Sequence, residues 1–78
     1  MAYDEVKSII PVMEGRNGNI RVLSDQGRII TCIQVPGAES VSGGGLSFAV
    51  VRRSPFGTVA REVFAYEHGT IVHKNTFF

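Results

Sequence analysis

The residues of this 78-residue chain that could do chemistry are two histidines, seven acids, one cysteine and a scatter of serines. Their spacing supports little catalysis. Nucleophilic hydrolysis wants a serine on a strained elbow, and no Gly-x-Ser-x-Gly occurs. His68 falls in a turn, where a histidine is most often just solvated, and His73 lies in the last strand. Asp4, Glu5 and Glu14 read as polar surface rather than as a paired acid and base. Cys32, His68 and His73 lack zinc-ligand spacing, so neither a metal nor a cofactor is expected. The expectation is a non-enzymatic protein.

Three other segments have binding chemistry. Ser42-Gly43-Gly44-Gly45 would offer backbone N–H groups to an anion. It lacks the Lys-Ser/Thr of a phosphate-binding loop and no helix follows, so it reads as a mobile linker or a contact loop. In Arg52-Arg53-Ser54-Pro55-Phe56-Gly57, adjacent arginines at a strand end point to opposite faces and Phe56 occupies a turn tip. Arginine beside an exposed ring suits protein contact, and it also suits single-stranded nucleic acid through phosphate contact and stacking. Arg21, Arg28 and Arg61 would extend such a basic face. Phe77 and Phe78 either fold back onto the domain or insert into a neighbour. The expected partner-binding residues are therefore Arg52, Arg53, Phe56, Phe77 and Phe78.

The elements that position these residues are strands. Asn17-Gly18, Gln26-Gly27, Ser54-Pro55-Phe56-Gly57 and His68-Gly69 are turn signals, each with a glycine able to adopt positive φ. Asn17-Gly18 in particular fits a two-residue type I′ hairpin. The turns delimit six strands: Ser8–Glu14, Asn19–Ser24, Arg28–Val35, Leu46–Arg53, Thr58–Tyr66 and Thr70–Thr76. The stretch Pro36 to Gly45 has loop composition and divides two three-strand meanders. Pro11 places the first strand at a sheet edge. Tyr3–Lys7 has the spacing of a short helical turn. In Thr58–Tyr66 the apolar pattern changes phase between Val63 and Phe64, which predicts a bulge or bend. Ile33, Phe48, Val50 and Val63 are the predicted core, and Cys32 a small buried hydrophobe.

The fold expected is all-β, a small barrel or compact sandwich of five to six antiparallel strands in one domain spanning residues 1–78. Arg28–Val35 and Leu46–Arg53 are apolar on both faces, which calls for two packed layers, a closed barrel or an oligomer interface. Charged residues make up 19%, below the usual ~25%, and net charge is +1. A low charge favours a buried contact surface over a strong field for nucleic acid or membrane. The first residues carry no basic and apolar signal segment, so synthesis in the cytoplasm is expected, compatible with incorporation into a larger particle. The function expected is a protein-interaction module. It would be a self-assembling or accessory subunit of a particle, such as a virion or phage structure, or a small inhibitor. A nucleic-acid-binding barrel is the alternative.

Overall fold

A computed structural model describes residues 6–15 and 17–78. The described residues form seven strands: β1 (Ile9–Glu14), β2 (Asn19–Ser24), β3 (Ile29–Gln34), β4 (Ala38–Gly44), β5 (Ser47–Arg53), β6 (Val59–Glu67) and β7 (Thr70–Phe77). All pair antiparallel in sequence order, β1-β2-β3 in one sheet and β4-β5-β6-β7 in the other. No helix among the described residues is long and apolar enough to cross a membrane. The expected helical turn at Tyr3–Lys7 lies outside the described residues except for Val6 and Lys7, which are not helical.

The turns follow local backbone chemistry. His68 and Gly69 have φ of 54° and 84°, the paired positive values of a type I′ hairpin. Ser24–Arg28 and Ser54–Thr58 share one Ser-x-x-Gly-x design. In each, the serine Oγ accepts the backbone N–H groups two and four residues on, and the glycine N–H donates to the serine carbonyl. The Asn17-Gly18 connection differs from expectation. Glu14 pairs with Asn19, so the loop has four residues, and Gly15 and Gly18 are left-handed while Asn17 is not. A Cβ on Gly18 would sit 2.2 Å from the Val35 carbonyl oxygen, a close approach that only glycine permits.

The main correction is β4. Pro36 to Gly45 is not a mobile linker, because Ala38–Gly44 pairs with β5 along its length. Its Ser- and Gly-rich composition is poor for a strand in isolation. Pairing with the apolar β5 overrides that preference. Gly43 is placed opposite Phe48, so closely that a Cβ would come within 2.6 Å of the Phe48 Cβ.

Ile9, Ile20, Val22, Val35, Phe48 and Val50 form the core between the sheets. β1 packs along β4, helped by Ile9 N–H donating to the Gly45 carbonyl at 2.9 Å, whereas β3 and β7 scarcely touch. The structure is thus a two-sheet body open on one side, with seven strands rather than five or six and no closed barrel. β1 is an edge strand, as Pro11 requires.

Bulges decide which side chains face this core. Ile30 is the extra residue where β2 and β3 shift register, which lets Ile30 and Ile33 both pack inward. Cys32, opposite Arg21 and alternating with Ile33, points out and is exposed, contrary to the burial expected of it. The expected irregularity between Val63 and Phe64 is present, but the extra residue is Lys74 on β7. β6 itself keeps strict alternation. Ala60, Glu62, Phe64 and Tyr66 face inward, and Val63 belongs to the outer face rather than the core.

Candidate functional site on the four-stranded sheet

Register assigns the two faces of the four-stranded sheet. Inward, Gly43, Phe48, Phe64 and His73 lie in one cross-strand row, and Val41, Val50, Glu62 and Thr76 in the next. The Phe48 and Phe64 rings stack at 5.2 Å, and His73 meets Phe64 edge-on at the same separation. Outward, the rows are Ser42, Ala49, Val63 and Asn75, then Ser40, Val51, Arg61 and Phe77.

Glu62 is the one acid on the inward face of β6, and it is only 9% exposed. A carboxylate there has to be satisfied. Thr76 Oγ1 donates to its Oε1 at 2.5 Å, and His73 Nε2 lies 2.6 Å from the same oxygen. Arg52 Nε donates to Oε2 at 2.5 Å. The Thr76 hydroxyl, then the Arg52 and His73 contacts, outweigh burial and hold the carboxyl down at about 2, against 4.5 ordinarily. This saturated carboxylate is a poor proton acceptor. Thr76 Oγ1 donates to Glu62 and also lies 3.1 Å from His73 Nε2, so the carboxylate, imidazole and hydroxyl form one closed cluster. The cluster borders a cleft of about 720 Å³ between Gln34–Gly37, the Arg52–Pro55 end of the β5–β6 hairpin, and the inner face at Phe64 and His73.

The outer face is different. Ala49, Val51, Val63, Ala65 and Val72 are half-buried and lie side by side across β5, β6 and β7. At one end Val51, Val59, Arg61, Phe77 and Phe78 surround a hollow of about 250 Å³. Val59 is 42% exposed, Phe77 52% and Phe78 88%, so the end of the sheet is an open apolar patch. The charges at its margins are largely matched. Arg53 pairs with Glu39 at 2.8 Å, and Lys74 pairs with Glu67 at 2.8 Å, which keeps the Glu67 carboxyl below its usual range.

The residues singled out in the sequence fall in three places. Arg52 turns inward to Glu62, while Arg53 turns outward to Glu39 and donates from Nη1 to the Gly57 carbonyl at 3.3 Å. Phe56 stands on the hairpin tip, 95% exposed. Phe77 and Phe78 sit on the outer face, and neither folds back into the core. His68 occupies its turn and is exposed. Glu62 was missed by reading the sequence for acid pairs. Its signal is the run Ala60-x-Glu62-x-Phe64-x-Tyr66, a carboxylate inside an apolar alternation, with Arg52 in phase with Phe48 and Val50.

Comparison with protein-family models, curated proteins and solved structures finds no match.

Proposed function

We propose that the chain is a non-enzymatic protein-interaction module whose contact surface is the outer face of the β4–β7 sheet. It would serve as a self-assembling or accessory subunit of a larger particle, or as an inhibitor docking on a larger protein. The observation that carries this reading is the apolar outer face of β5, β6 and β7, which no described element covers, ending in Phe77 and Phe78. A sheet face turned to water ordinarily alternates to polar residues. One lined by Ala49, Val51, Val63, Ala65 and Val72 favours a partner. The saturated state of Glu62 and Thr76 supports the non-enzymatic part. Binding of nucleic acid through Arg52, Arg53 and Phe56 has less support, because both arginines are already held by carboxylates.

Molar mass and dye binding on one sample test the reading. A self-assembling chain runs as a discrete oligomer. A chain that docks on a larger protein runs as a monomer and binds anilinonaphthalene sulfonate through the open face. Val63→Glu abolishes whichever signal is seen while the melting midpoint stays close to that of the parent. A monomer that binds no dye overturns the reading.

A further inference from the structure

The same outer face carries a charge with no partner, and this narrows what docks there. Arg61 is exposed and lies in the row Val51, Arg61, Phe77 at the rim of the apolar hollow. Among the described residues it makes no ion pair or hydrogen bond. Two other charged side chains at the margins of the face are matched, Arg53 by Glu39 and Lys74 by Glu67. Once an apolar partner displaces water, an unmatched guanidinium is costly unless the partner supplies an acceptor. Arginine presents a planar fork suited to a carboxylate.

We infer that this face binds a protein segment in which a carboxylate side chain is flanked by apolar residues, the carboxylate meeting Arg61 and the apolar residues filling the hollow between Val51, Val59, Phe77 and Phe78. This rests on the proposed interaction role and deepens it. Charge complementarity decides among occupants. A second copy docking through the same face brings a second unmatched Arg61, and its Glu39 and Glu67 are already engaged. Single-stranded nucleic acid carries a phosphate on every nucleotide and is held by tracks of several cations, and this face has one free. An acidic, apolar protein segment satisfies both the charge and the hollow.

The test selects a displayed library of random heptapeptides on the full-length chain and, in parallel, on Arg61→Gln. That substitution keeps most of the aliphatic stem and removes the charge. Selection on the parent chain enriches peptides with Asp or Glu beside Leu, Ile, Val or Phe. The same peptides, once synthesised, bind Arg61→Gln about tenfold or more weakly, the scale of losing one partner of a desolvated charge pair. Failure to enrich any peptide, enrichment of peptides without an acid, or equal binding to both chains overturns the inference. Binding of a short oligothymidine at low salt that Arg61→Gln removes overturns it in favour of nucleic acid. A discrete homo-oligomer dissociated by Val63→Glu also overturns it, and leaves the broader interaction role standing.

Discussion

The two faces of the β4–β7 sheet handle the same problem in opposite ways. The inner face carries a carboxylate, a guanidinium, an imidazole and a hydroxyl, yet every one of them is bonded to another. The outer face is mostly small and apolar, yet it leaves a guanidinium and two phenyl rings without partners among the described residues. A polar group in a fold's interior is thus more often evidence of structure than of chemistry, whereas an unmatched group on an apolar exterior points to something outside the chain.

The comparison breaks most visibly at Phe48. Phe48→Ala removes the ring stacked on Phe64 and sandwiched at 2% exposure. A loss of roughly 3–5 kcal/mol is expected in chemical denaturation, enough to unfold much of so small a domain. A variant as stable as the parent would show that the inner face is not the core.

Glu62 gives the next largest effect. Glu62→Gln removes the charge while Arg52 stays only 27% exposed, and about 1.5–3 kcal/mol is the scale of hydrogen bonds to a charged group. The acid dependence is the sharper measurement. The carboxyl titrates at about 2 in the fold and near 4.5 unfolded, so the unfolded state binds the proton first. Its contribution is complete above pH 4.5 and lost as pH falls through 4.5 towards 2. Melting midpoints taken down this range should drop more steeply for the parent than for Glu62→Gln. Parallel curves would mean that the contacts to Arg52, His73 and Thr76 do not persist in solution.

Two adjacent glycines sharpen the contrast on a smaller scale. Gly43 faces inward, where an added Cβ meets Phe48, while Gly44 has open space around its missing side chain. Gly43→Ala is expected to destabilise by about 1–3 kcal/mol, as overpacking does. Gly44→Ala should leave the midpoint nearly unchanged, and equal effects would deny the distinction between the faces.

The smallest stability effect belongs to the outer face. Removing Phe77 and Phe78, or replacing Val63 by Thr, should change stability by no more than about 0.5 kcal/mol while weakening association or dye binding clearly. Early melting with association intact would make the tail part of this chain's own core.

The amino-acid sequence by itself determined the turns and the strand character, because both are local. Gly27, Gly57 and Gly69 take φ of 86°, 88° and 84° where the turn signals stand, since side-chain sterics forbid other residues those values cheaply. Six of the seven strands were visible as Val-, Ile- and Thr-rich runs between those turns. Only the tertiary structure decided β4, whose serines and glycines become a strand because β5 offers its edge. It alone decided that Ile30 and Lys74 are bulged, so that Ile30 comes to share a face with Ile33, and it alone decided which face of each strand is covered, so that Cys32 is exposed and Val63 looks outward. Face assignment is a parity, and one extra residue in a ladder reverses it for everything beyond. Glu62 meets Arg52 ten residues away and Thr76 fourteen away. Arg61 stands unmatched among apolar neighbours for the same reason: its surroundings are set by the registers of β5 and β7. Register comes from the packing of side chains distant in the chain, which no local run of residues encodes.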